Sequence, residues 1–199
     1  MTAAARVLVL CGPSGSGKSR LADRLSRTHG WPTIRLDDFY KAGDDPSLPM
    51  TDFGVPDWDN ARSWNLQSAL DALRDLCLDG RAELPVYDIA TSSVTGCHVV
   101  DRGDAPIVIA EGIFAAETIA GLRALDLLAA AYCIRQQRQL TMARRFVRDV
   151  RERRKPVPVL LRRGWHLMRL EPRIVAAHER LGARPSTPRA VERAATLWA

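Results

Sequence analysis

Apolar residues along this chain follow two rhythms, and the alternation between them predicts its elements. Val7 to Leu10 form an unbroken apolar run, suited to a strand buried on both faces. Leu21, Ala22 and Leu25 then recur at helical spacing, and Thr33-Ile34-Arg35-Leu36 reads as a second short strand. Residues 42–65 are rich in Pro, Gly, Asp and Asn without periodicity, which predicts a long loop. Leu66, Ala69, Leu70, Leu73, Leu76 and Cys77 mark one face of an amphipathic helix that Gly80 ends. Residues 84–101 hold two β-rich segments around Thr91 to Gly96, the pattern of a hairpin. Ile107 to Ala110 is a further buried strand, with Glu111-Gly112 at its carboxyl end, and Ala129 to Ile134 a fourth. Arg138 to Arg154 is helical with a narrow apolar stripe of Leu140, Ala143, Val147 and Val150, stopped by Pro156 and Pro158. Residues 159–181 read as a basic helix, 182–188 as a loop and Ala190 to Trp198 as a terminal helix. Strands alternating with helices predict an α/β fold around a central parallel sheet.

The turn between the first strand and first helix carries the clearest chemistry. Gly12-Pro13-Ser14-Gly15-Ser16-Gly17-Lys18-Ser19 fits G-x-x-x-x-G-K-[ST] and has the strand and helix that this motif requires on either side. Glycines let the backbone wrap closely, so that successive N–H groups and the helix N-terminus face phosphate oxygens. Lys18 adds a positive charge for the β- and γ-phosphates of ATP, and the Ser19 hydroxyl is placed to ligate Mg²⁺. The expected fold is therefore a three-layer P-loop NTPase fold with an inserted β-hairpin and an Arg-rich helical lid.

Composition narrows the class. With 199 residues, 46% hydrophobic and 26% charged, the chain falls in the range of one globular domain, expected over 1–199 with the hairpin at about 84–101 and the lid at about 138–158. No apolar run reaches membrane-spanning length. Cys11, Cys77, Cys97 and Cys133 are scattered without a C-x-x-C pair; they read as reduced, mostly buried thiols of a cytoplasmic protein, with no zinc signature. The net charge of +6 is uneven, because residues 135–199 hold 17 of the 29 Lys/Arg and only 5 of the 23 Asp/Glu. That basic region suits closure over a polyphosphate and also suits nucleic acid. A nucleic-acid-binding P-loop ATPase is the weaker alternative, since it leaves Asp37, Asp59 and Tyr87 without a role. Homo-oligomer formation stays open.

Three further groups stand at positions where a phosphate-loop protein needs them. Asp37 and Asp38 follow the second strand, beyond whose carboxyl end ligands of open α/β sheets sit. Either is a candidate base for an attacking hydroxyl, and either would equally cap the next helix. Glu111 ends a buried strand and is a candidate for the Mg²⁺ side of the site or a helix-terminal charge. Trp58-Asp59 in the long loop would wall a flat ring and hold sugar hydroxyls, or fold back onto the core together with Trp64.

Gly12–Ser19, Asp37-Asp38-Phe39-Tyr40, Trp58-Asp59, Pro85-Val86-Tyr87-Asp88, Glu111-Gly112-Ile113-Phe114 and Arg144-Arg145-Phe146-Val147-Arg148-Asp149 together resemble the uridine/cytidine kinases, relatives of phosphoribulokinases and bacterial pantothenate kinases. The resemblance covers roughly residues 5–155. It implies transfer of the γ-phosphoryl group of ATP, with Mg²⁺, to the 5′-hydroxyl of a pyrimidine nucleoside. It also implies roles for individual residues: Asp37 as catalytic aspartate, Asp59 on the ribose, and Tyr40, Trp58 and Tyr87 around the nucleoside. Arg145 would touch the nucleoside, and Arg148 and Arg153, continued by Lys155, would close over the phosphates. The chain departs from the family where Ile89 and Ser92 stand in place of an aromatic residue and a base-reading histidine, so Ser92 takes that position. Another small hydroxyl acceptor, such as pantothenate or a sugar phosphate, is the alternative.

Overall fold

A computed structural model of the chain describes residues 4–135 and 172–198. The expectations for the arginine-rich helix, for Arg145, Arg148, Arg153 and Lys155, and for most of 159–181 lie outside the described residues.

Strands β1 (Arg6–Cys11), β2 (Thr33–Arg35), β5 (Ile107–Glu111), β6 (Leu128–Ile134) and β7 (Arg184–Ser186) make one parallel sheet in the order β2-β5-β1-β6-β7. β1 lies at its centre for a simple reason: its apolar run has no polar face to give to solvent. Val7, Val9 and Cys11 join an apolar core on one side, with Leu73 and Leu76 of helix α2 (Leu66–Leu78) and Ile119 and Leu122 of helix α3 (Ile119–Ala124). Leu8 and Leu10 join a second core on the other side, with Leu21 and Leu25 of helix α1 (Lys18–His29) and Val191 and Ala195 of helix α4 (Pro188–Ala195). Both faces are thus covered, as an all-parallel sheet requires. From β1 the chain runs to one side for β2 and β5 and to the other for β6 and β7. The crevice beyond the carboxyl end of β1 is therefore the switch point at which such sheets bind ligands.

Three expectations about boundaries need correction. The hairpin consists of β3 (Arg81–Asp88) and β4 (Ser93–Asp101), so its turn spans 89–92, not Thr91 to Gly96. Thr95 and Gly96, which look like turn residues, sit where the register shifts between Val86 and Tyr87, in a bulge that a Gly accommodates. Residues 182–188 contain β7, paired through Tyr132↔Arg184 and Ile134↔Ser186. Three residues around Pro185 carry no alternation, and only the neighbouring edge of β6 makes them a strand; proline is tolerated there because β7 is itself the sheet's outer strand. Helix α4 starts at Pro188, earlier than expected, because Thr187 caps it by accepting from the Ala190 N–H.

Gly12 fixes how β1 enters the phosphate loop. Its φ is +132°, and a Cβ there would lie 2.5 Å from the Ile134 carbonyl oxygen of β6. Gly12→Ala meets both a strained dihedral and a backbone clash, and we expect it to cost about 2–4 kcal/mol of stability. Urea denaturation, read as a lowered midpoint at unchanged slope, checks this.

Candidate active site

Three strand ends place the site. At the end of β1 the loop turns into α1, whose N-cap Gly17 offers no side-chain cap, so the orphan N–H groups of the first turn face the loop. Lys18 is buried at the centre of that loop, with Nζ donating to the carbonyl oxygens of Gly12 at 3.0 Å and Pro13 at 3.4 Å. Burial lowers its pKa, against the opposing pull of Glu111 first and Asp37 second. Pro13, Ser14, Gly15 and Ser16 complete the cradle.

Ser19 and Glu111 meet across the sheet. The Ser19 hydroxyl donates to the Glu111 carboxylate, at 3.1 Å from Oε2 and 3.2 Å from Oε1. Register brings them together, since Leu10 pairs with Glu111 and thereby sets the carboxylate beside the start of α1. A hydroxyl and a carboxylate are the hard oxygen donors that suit Mg²⁺. Burial holds the Glu111 carboxyl above its ordinary range, while Lys18 pulls it back. A group whose folded pKa is raised loses its stabilising contribution as pH rises through that value. Without Mg²⁺, stability should therefore fall through the acid range as Glu111 ionises, and added Mg²⁺ should remove that fall. Thermal melts across pH, with and without the ion, test it. Glu111→Gln should erase the dependence and lower Mg²⁺-dependent activity by about 10–100-fold.

Asp37 occupies the 3-10 turn Leu36–Phe39 after β2, and its Oδ1 accepts from the Ile113 N–H at 3.0 Å. It therefore does not serve as a cap for its own turn. Gly112 makes this approach feasible: a Cβ there would lie 2.8 Å from Asp37 Oδ1. The Glu-Gly-Ile sequence thus does two jobs, presenting Glu111 and admitting Asp37, and the second was not legible beforehand. Asp38 turns the other way, toward Arg35 at 3.8 Å, and burial raises its pKa.

Aromatic rings line the neighbouring loop. Tyr40 packs edge-on against Trp58 (centroids 5.7 Å apart) and Phe114 (5.9 Å), and tilted against Tyr87 (5.8 Å). The Tyr40 hydroxyl donates to the Trp58 carbonyl at 3.0 Å, and the Tyr87 hydroxyl to the Lys41 carbonyl at 3.1 Å. Burial first, and the negative charge of Asp37 second, push the Tyr40 phenol upward, so it stays neutral. Asp59 is exposed, within electrostatic reach of the same hydroxyl. Ser92 sits in the hairpin turn at φ +49°, with its carbonyl taken by the Gly43 N–H at 2.7 Å. Trp64 belongs to the core: it is buried, and its Nε1 donates to the Leu36 carbonyl at 2.6 Å. Phe114, noticed in the sequence only as part of a motif, proves to link Tyr40 to Trp64.

The structure thus brings Lys18, Ser19, Glu111 and Asp37 together at the carboxyl ends of β1, β2 and β5, with Tyr40, packed on Trp58 and Tyr87, within electrostatic reach of Asp37.

Comparison with known proteins shows what this chain is similar to. A family model described as an AAA domain matches residues 7–80. The curated inorganic pyrophosphatase TTM2 of Arabidopsis thaliana is 28% identical over 106 residues, which is 53% of this chain and only 15% of that protein's length. A candidate fructose transport system kinase from Silicibacter sp. TM1040 superposes with a TM-score of 0.62 at 18% identity, covering 93% of this chain and 88% of that one. A candidate uridine kinase from Bacillus stearothermophilus gives a TM-score of 0.43 at 24% identity, over 57% of this chain and 64% of its own. The chain shares the α/β fold of the Silicibacter protein, with a phosphate loop between β1 and α1. Among the described residues no helix is long and apolar enough to cross a membrane.

Proposed function

We propose that the chain is an ATP-dependent kinase that phosphorylates the 5′-hydroxyl of a pyrimidine nucleoside, uridine or cytidine. One observation carries the reading. Asp37 is held by the Ile113 N–H at 3.0 Å, in the room left by Gly112, between the phosphate loop and a group of aromatic rings. A carboxylate fixed there has an acceptor hydroxyl as its natural partner.

Loop N–H groups and Lys18 bind the triphosphate and neutralise charge on the transferring group. Ser19 and Glu111 would hold Mg²⁺, which when bound would supply positive charge against the charge developing on the phosphates. Asp37 accepts the hydroxyl proton as the substrate oxygen bonds to the γ-phosphorus and the bridging P–O bond to ADP breaks. Trp58, Tyr40 and Tyr87 wall the acceptor, and Asp59 is available to its sugar hydroxyls. The rings spend their own hydroxyls on backbone carbonyls, so they offer shape more than hydrogen bonds.

Ser92 bears on specificity. Its hydroxyl is shorter than an imidazole and reaches a base edge only through water, which leaves that edge weakly read. Uridine and cytidine should therefore differ by no more than about tenfold in kcat/KM, roughly 1.4 kcal/mol. The test is an ATP-dependent phosphorylation screen over nucleosides, pantothenate, sugars and sugar phosphates. Turnover of an acceptor without a base, and none of either nucleoside, would replace this substrate with the alternative small hydroxyl acceptor, a sugar being the class named for the Silicibacter protein.

A further inference from the structure

Immediately beneath the phosphate loop lies a second group of side chains that the kinase reading does not use. Cys11, the last residue of β1, is paired in parallel register with Cys133 of β6. Paired residues of parallel neighbours point to the same sheet face, so both thiols enter the same apolar core, alongside Val7 and Val9. Residues 172–180 are helical and cover this face: Val175 is buried in the same core, and His178, one turn on, points the same way. The chain then continues directly into β7, the Ala183 N–H donating to the His178 carbonyl at 3.0 Å. Cys11 and Cys133 are fully buried and His178 is 8% exposed.

Their ligand atoms all lie within 4.8 Å of one another, and Cys133 Sγ is 3.7 Å from His178 Nδ1. A tetrahedral zinc ion, with Zn–S near 2.3 Å and Zn–N near 2.0–2.1 Å, sets sulfur and nitrogen about 3.6 Å apart and two sulfurs about 3.8 Å apart. The observed spacing needs little adjustment to reach that geometry. We propose that Cys11, Cys133 and His178 form a zinc site at the root of the phosphate loop.

Donor chemistry and charge both favour this ion. Two thiolates and an imidazole are soft ligands, distinct from the oxygen pair of Ser19 and Glu111, so zinc and Mg²⁺ are sorted to different sites. Two thiolates neutralise a divalent ion, and the buried complex carries no net charge beside Lys18. Binding forms two Zn–S bonds and one Zn–N bond and releases the thiol protons to solvent; water takes the fourth position, as in other three-ligand zinc sites. The ion would tie the helical residues 172–180 to β1 and β6, one residue before Gly12. This inference is independent of which acceptor the kinase site takes, because its readout is metal binding.

The test uses the full chain, reduced, stripped with a chelator, and titrated with Co²⁺ and then Zn²⁺. Wild type should take up one equivalent of Co²⁺ with thiolate-to-metal charge-transfer absorption, which Zn²⁺ then abolishes by displacement. Zn²⁺ at a hundredfold excess over its Kd should raise the melting temperature by about 5–10 °C. Cys133→Ser and His178→Gln should each weaken binding by more than about tenfold. Cys97→Ser, at an exposed cysteine, should leave it unchanged. Absence of stoichiometric uptake by the reduced wild type would overturn the proposal, whether or not the variants fold. So would uptake that survives both ligand substitutions.

Discussion

Replacing Lys18 by alanine is expected to reduce ATP-dependent phosphoryl transfer by about 10³-fold or more while the chain remains folded. Loss of one preorganised donor to a developing charge typically costs about 10²–10³-fold. Lys18 is a full positive charge in a buried loop, so its loss belongs at or beyond the upper end. The fold should persist because the packing of α1 rests on Leu21, Ala22 and Leu25, which the change leaves untouched. Circular dichroism establishes folding, and a coupled ADP-release assay measures turnover. Near-wild-type turnover by a folded Lys18→Ala variant would remove the basis for the kinase reading.

Asp37→Asn should be the next most damaging change, and a more diagnostic one. Asparagine keeps an Oδ1 that still accepts from the Ile113 N–H, so the local geometry survives. What disappears is the capacity to take a proton. General base catalysis supplies about 10²–10⁴-fold, and kcat should fall by that factor with the KM for ATP nearly unchanged. Asp38→Asn should have little effect, because Asp38 faces Arg35 and not the Gly112 turn. If the two variants exchanged behaviours, the base would have to be reassigned to Asp38.

These two residues also mark how far the sequence could be read. Lys18 was legible at once, since the phosphate-loop spacing together with a strand before it and a helix after it constrains the backbone to one arrangement. From its local pattern Asp37 was legible only as half of a pair, and the family resemblance rather than the spacing singled it out. Nothing local separates two adjacent carboxylates; only Asp37 accepts from the Ile113 N–H, 76 residues later. Similarly, Trp58 was open to the site or to the core, whereas Trp64 was read only toward the core. Trp64 is the one drawn into the core, where the Leu36 carbonyl satisfies its indole N–H, while Trp58 stays with Tyr40.

By itself the sequence determined the α/β alternation, because unbroken apolar runs and 3.6-residue periodicity are local signals that need no partner. It determined the phosphate loop for the same reason. Tertiary structure decided everything that depends on which strand lies beside which. β7 exists because β6 offers it an edge, and Ser19 meets Glu111 because Leu10 pairs with that residue in register. Cys11, Cys133 and His178 lie too far apart in the chain to resemble any metal motif, and they converge only through a parallel pairing and a helix crossing one face. Parallel neighbours are joined by long crossovers, so the residues they align are remote in sequence, and no short-range pattern records their meeting.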